Sequence, residues 1–154
     1  MDKLFYNKQY LDKKDYQSVF DSLKSKLITG GNFVDKFEYL IKSKVKSKYA
    51  LSCNNGTSAI YLALRSIRLK KNDVVILPSI NFIASFSMSK LLGAKVYLAD
   101  VSPITGQMTP DTLKECIRIN RIKKIKLIIT MYLGGSPNNV IDFYKIKKRY
   151  NCYL

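Results

Sequence analysis

The chain has 154 residues, enough for one domain with its own core and too few for two. It is 47% apolar and 25% charged, the balance of a globular, soluble protein, and no apolar run approaches the ~20 residues needed to span a bilayer. The net charge is +16 and histidine is absent, which removes histidine-based triads and metal sites and leaves acid–base work to lysine, tyrosine, carboxylates or a cofactor.

The opening Met1-Asp2-Lys3-Leu4-Phe5-Tyr6 lacks the basic flank and apolar stretch of a secretory signal, so a cytoplasmic protein is expected. Cys53, Cys116 and Cys152 are odd in number and have no metal-ligand spacing; two or three of them read as buried thiols. Counterion release rewards clustered cations. Here the lysines are spread along the chain, as at Lys42, Lys44, Lys46 and Lys48, then Lys123, Lys124 and Lys126, then Lys145, Lys147 and Lys148. A generally lysine-rich composition explains that pattern at least as well, so nucleic acid is not the expected partner and an anionic small molecule fits the sign of the charge better.

Residues 1–14 show no period and read as an arm. Val19, Phe20, Leu23 and Leu27 then recur at helical spacing and predict a helix over Asp15–Lys26, stopped by Thr29-Gly30-Gly31. A second helix is expected from Val34 to Lys46, with Phe37, Leu40, Ile41 and Val45 on one side. Tyr49–Ser52 reads as a short strand, and Asn54-Asn55-Gly56-Thr57-Ser58 as a turn into a third helix carrying Ile60, Leu64 and Ile67. A strand–turn–helix junction gathers unpaired amides and the positive end of a helix dipole beside hydroxyls, which suits a phosphate. Asn, Thr and Ser are also ordinary helix caps, so at this stage the turn is either a plain cap or a phosphate site.

Val74–Leu77 is a continuous apolar run suited to a strand buried on both faces, ended by Pro78. A helix capped by Ser79 or Asn81 should run to Leu92, with Gly93 as its C′ residue. Lys95–Ala99 makes the next strand, Thr109-Pro110 opens a helix to Ile119, and Lys126–Tyr132 makes a further strand. After Gly134-Gly135-Ser136-Pro137, Asn138 or Asn139 caps a last helix to Arg149, and Cys152-Tyr153-Leu154 begins another strand. Alternating strands and helices imply parallel βαβ units, and the chain reads as a fragment whose sheet is incomplete. The single Gly56 excludes a Rossmann fingerprint, and Gly30-Gly31 lacks the rest of a P-loop.

Several separated stretches together resemble one family, the pyridoxal-phosphate sugar aminotransferases of the DegT/DnrJ/StrS group. They are Leu27-Ile28-Thr29-Gly30-Gly31 with Phe37-Glu38, Lys48-Tyr49-Ala50 with Asn55-Gly56-Thr57-Ser58-Ala59, Leu77 to Ala84, Gly93-Ala94 with Asp100-Val101, and Tyr132-Leu133-Gly134-Gly135. The opening Phe5-Tyr6-Asn7-Lys8-Gln9 also looks like the start of members that aminate 4-keto nucleotide sugars.

The resemblance implies an α/β fold: the three-layer α/β/α large domain of fold type I pyridoxal-phosphate transferases, truncated before its sheet is complete, with an arm over 1–14 and the domain over 15–154. It implies that Gly56, Thr57 and Ser58 hold the cofactor phosphate and that Phe82 stacks on the pyridine ring. The rival role for Phe82 is core packing. Tyr6, Thr29 and Gly30 would approach the sugar nucleotide. Asn81 stands where members usually have Thr.

The family works as a homodimer on a nucleotide sugar with an amino-acid donor such as glutamate, in amino-sugar and surface-polysaccharide biosynthesis, without a membrane. Its cofactor-attaching lysine, in a Ser-x-x-Lys segment, and the aspartate that pairs the pyridine nitrogen fall beyond Leu154. No catalytic residue is assigned, and the fragment is expected to be inactive. The rival readings are a remnant or split-gene half that needs a partner, a nucleotide- or nucleic-acid-binding α/β module, and the family's dehydratase branch.

Overall fold

A computed structural model describes residues 8–154. The chain forms two compact units, Met1–Ser52 and Cys53–Leu154.

The first unit holds α1 (Lys13–Leu23) and α2 (Asn32–Lys44). Helix α1 begins two residues before its expected start because Asp12 and Asp15 form a capping box. The Asp12 carboxylate accepts from the Lys14 and Asp15 amides, and Asp15 accepts from the Asp12 amide at 2.8 Å. The strand expected at Tyr49–Ser52 does not form, and Tyr49 and Leu51 are each 76% exposed. A strand is stable only beside a partner, and this stretch pairs with no other strand among the described residues.

The stretch is tied down by its end instead. Glu38 of α2 accepts from both the amide (2.7 Å) and the hydroxyl (2.8 Å) of Ser52. The Ser52 amide first, and then its hydroxyl, hold the Glu38 carboxyl below the usual carboxylate value. A depressed folded-state pKa contributes stability above the unfolded value, and that contribution disappears as pH falls through the folded one. Ser52→Ala should therefore lower the urea midpoint of the first unit at pH 7, and the gap from wild type should close below the ordinary carboxylate range. A gap that persists at acid pH would leave the carboxylate without a part.

The second unit runs α3 (Gly56–Ser66), β1 (Val74–Pro78), α4 (Ala84–Leu91), β2 (Lys95–Ala99), α5 (Pro110–Ile119), β3 (Leu127–Ile128) and α6 (Val140–Tyr150). The strands are parallel in the order β2-β1-β3, with Val74 opposite Lys95 and Val75 opposite Leu127. Tyr153 adds a parallel bridge to Leu127, the start of the further strand expected at Cys152–Leu154.

Leu64, Leu69 and Ala94, around α3 and α4, pack with Val75, Leu77 and Leu127 on one face of the sheet. Leu113, Cys116, Ile117, Phe143 and Ile146 of α5 and α6 pack with Ile76 and Ile128 on the other. The result is the expected three-layer α/β/α sandwich around a partial sheet. Each helix returns the chain from the carboxyl ends of the strands to their amino ends, so the sheet has two functionally distinct edges.

Three further boundaries differ from expectation. The strand expected over Lys126–Tyr132 is paired only at Leu127–Ile128, with the Ile129 amide reaching Ile76 O. Pro78 explains the stop. The Ser79 amide points to Ala99 of β2, so the missing amide of Pro78 falls on the β3 side and the ladder ends there. Helix α4 starts at Ala84 behind Ile83 with no side-chain cap, so neither Ser79 nor Asn81 caps it. Asn139 precedes α6 at φ 56° without a cap bond.

Gly93 does close α4, at φ +81°, and a Cβ there would lie 3.2 Å from Lys71 Cα. Gly93→Ala should destabilise the second unit by about 2 kcal/mol in urea denaturation, from the left-handed backbone and the backbone contact together.

Candidate functional site

In parallel α/β sheets ligands collect where the strands end. At that edge lie the start of α3, the Ser79–Ile83 turn after β1, the 100–109 loop after β2 and the 131–139 loop after β3.

Asn55, in extended backbone, caps α3: its Oδ1 accepts from the Ser58 amide at 2.8 Å, and its carbonyl accepts from the Ala59 amide. The Gly56 and Thr57 amides find no acceptor among the described residues, and neither do the Thr57 and Ser58 hydroxyls act in any bond. A Cβ placed on Gly56 would meet nothing within 4 Å. The turn is thus a helix cap and, in addition, two amides and two half-buried hydroxyls without a partner among the described residues, beside the open Gly56 position at a positive helix end, which fits a phosphate.

Phe82 is 74% exposed, which removes the core-packing role considered for it. It borders a cleft of about 180 Å³ with Leu77, Phe86 and Leu98. The Asn81 Nδ2 in the same cleft is enclosed and has no hydrogen-bond partner among the described residues.

Thr29 and Gly30 lie in the first unit, in the bend before α2. Thr29 is exposed, and a Cβ on Gly30 would meet nothing within 4 Å. Tyr6 lies outside the described residues.

One supporting residue is not visible in sequence. Gln107, 5% exposed, donates from Nε2 to the carbonyls of Ser136 (3.1 Å) and Leu133 (3.3 Å), and its Oε1 accepts from Asn138 (3.4 Å). It braces the loop after β3 against the loop after β2. No local pattern in Gly-Gln-Met-Thr-Pro reveals partners some thirty residues away.

The charge of the site also differs from expectation. Residues 53–57, 79–83, 100–109 and 131–139 contain no lysine or arginine, so the excess of cations does not serve an anion at this edge. Any phosphate here is met by amides, hydroxyls and a helix dipole.

Residues 9–154 match the DegT/DnrJ/EryC1/StrS aminotransferase family. The chain belongs to this family. Among relatives, GDP-perosamine synthase of Escherichia coli O157:H7 is 30% identical over 145 residues, covering 94% of this chain and 39% of that protein. The chain therefore spans well under half the length of such relatives. An aminotransferase from Psychrobacter cryohalolentis superposes with a TM-score of 0.83 at 27% identity, over 97% of this chain and 38% of that one. Escherichia coli GDP-4-keto-6-deoxy-D-mannose-3-dehydratase, solved with bound hydrated pyridoxal phosphate, superposes with a TM-score of 0.80 at 27% identity, over 92% of this chain and 37% of that one. With these structural neighbours, the partial sheet is a portion of a fold type I domain. They include both an aminotransferase and a dehydratase.

Proposed function

We propose that this chain is the N-terminal portion of a pyridoxal-phosphate aminotransferase that moves an amino group from an amino acid, glutamate, to a nucleotide-linked keto sugar in amino-sugar and surface-polysaccharide biosynthesis. Residues 1–14 are its arm and 15–154 the first part of its cofactor-binding domain, in a cytoplasmic homodimer. The observation that carries the reading is the pair of free amides of Gly56 and Thr57 beside the open position at Gly56. Thr57 and Ser58 add hydroxyl donors to the phosphate, and exposed Phe82 offers a ring face for the pyridine. Thr29, Gly30 and Tyr6 are proposed contacts to the sugar nucleotide.

When bound, the cofactor supplies an electron sink for chemistry at the amino-acid carbon. This chain's residues contribute anchoring and orientation only. The lysine that attaches the cofactor and the carboxylate that pairs its ring nitrogen are assigned to no residue here, so amino transfer by the 154-residue chain alone is not expected. Tyr49 and Leu51, exposed in a strand-forming stretch without a partner among the described residues, favour the companion reading of a portion completed by further strands.

Amide NMR of the purified chain tests the proposal. Pyridoxal phosphate should shift the Gly56 and Thr57 amides, inorganic phosphate should compete, and pyridoxal without its phosphate should leave them in place. Unmoved amides at millimolar pyridoxal phosphate would sink the site. Turnover of glutamate by the chain alone would sink its assignment as an anchoring portion.

A further inference from the structure

Residues 53–154 carry sixteen lysines and arginines against five carboxylates, and the fold sorts them. The turn into β1 holds Arg68, Lys70 and Lys71, and Lys90 and Lys95 flank the turn into β2. The approach to β3 holds Arg121, Lys123, Lys124 and Lys126, and the last turn of α6 holds Lys147, Lys148 and Arg149. Arg65 and Arg118 end α3 and α5. All of these lie at the amino edge of the sheet, away from the candidate cofactor site. The remaining two, Lys114 and Lys145, each pair with an aspartate in the first half of a helix.

Helix dipoles do not account for this. Four helix C-termini supply about half a negative charge each. Asp73 and Glu115 add two carboxylates, the first accepting from the Lys70 amide and the second paired with Arg118. Roughly ten positive charges on this face are left without a counterpart among residues 53–154. Two large aliphatic side chains are exposed at the helix ends on this edge, Leu91 of α4 (69% exposed) and Ile119 of α5 (62% exposed), the latter also lining a groove with Leu98, Glu115 and Asn120.

We infer that the amino edge of the sheet is a docking face for an anionic lipid bilayer. Lysine and arginine are drawn to acidic headgroups within a Debye length, and exposed aliphatic side chains gain by entering the headgroup boundary. A nucleic-acid duplex would use the same cations but gains nothing from Leu91 and Ile119. Single-strand stacking is also poorly served, since Lys126 Nζ lies 5.1 Å over the Tyr153 ring and Arg149 5.8 Å from the Tyr150 ring. Among the described residues no helix is long and apolar enough to cross a membrane, so the contact is peripheral. It would hold the carboxyl edge away from the bilayer, facing the aqueous phase.

Vesicle co-sedimentation of the purified chain decides the matter. With about 30% phosphatidylserine in phosphatidylcholine at about 0.1 M NaCl, the bound fraction should exceed that on phosphatidylcholine alone by about tenfold and vanish at about 0.5 M. Leu91→Asn with Ile119→Asn, which leaves the charge untouched, should lower binding about fivefold. Arg121→Glu with Lys123→Glu and Lys124→Glu should abolish it. Equal binding to both vesicle types, or to the apolar double variant and wild type, overturns the inference. So does retention of a labelled DNA duplex that the double variant leaves unchanged while vesicles are not bound.

Discussion

Phe143→Ala is expected to destabilise the second unit by about 3–5 kcal/mol, the range for removing a fully buried aromatic side chain. Phe143 is 0% exposed and sits in the cluster of Ile76, Leu113, Ile117, Ile128 and Ile146, where α5 and α6 meet the sheet. Its removal takes away transfer free energy and leaves a void between rigid elements. A domain of this size has only about 5–15 kcal/mol of stability in total, so the variant should lose a large part of its cooperative transition in urea. Phe82→Ala is the matched comparison. That ring is 74% exposed, so its loss should change stability by no more than about 0.5 kcal/mol. If the two substitutions cost the same, Phe82 is a packing residue and its place in the cofactor site fails.

The contrast between these two phenylalanines marks what the chain order reveals and what it hides. Both lie in apolar stretches next to turns. Only the non-local packing of α6 against α5 and β3 makes one of them core. Signals that act within a few residues were legible, among them Thr109 before Pro110, which forms a capping box with Thr112, and Gly93 as the left-handed terminator of α4. The helix start at Asn55–Ser58 was legible for the same reason.

Properties that depend on distant partners were not. Tyr49–Ser52 has strand composition but no neighbour to pair with among the described residues, and the ladder of β3 stops because Pro78 presents no amide toward it. The Gln107 brace joins residues far apart in sequence. The lysines look scattered along the chain, yet the parallel topology brings nearly all those of the second unit to one edge, because every helix ends and every strand begins there.

Gly56→Asp should abolish the response of the chain to pyridoxal phosphate, weakening binding by at least about a hundredfold, while leaving stability unchanged or slightly raised. The two effects separate because of where Gly56 lies. It is the first residue of α3, and its Cβ position opens onto empty space, so a side chain there strains nothing. A carboxylate in the first turn complements the helix dipole and favours the helix. The same carboxylate stands where the phosphate must approach the Gly56 and Thr57 amides, and like charges at such a distance repel by several kcal/mol even at an effective dielectric of about 20.

Gly56→Ala separates bulk from charge. It improves helix propensity by up to about 1 kcal/mol and should weaken the ligand by only about fivefold, since one methyl group narrows the approach. Were the turn only a cap, Asn55 would do all the work through its bond to the Ser58 amide, and both variants would bind pyridoxal phosphate as weakly or as strongly as wild type. Titration of the three proteins, followed at the Thr57 amide, therefore distinguishes a helix that merely begins at Gly56 from one whose beginning receives an anion.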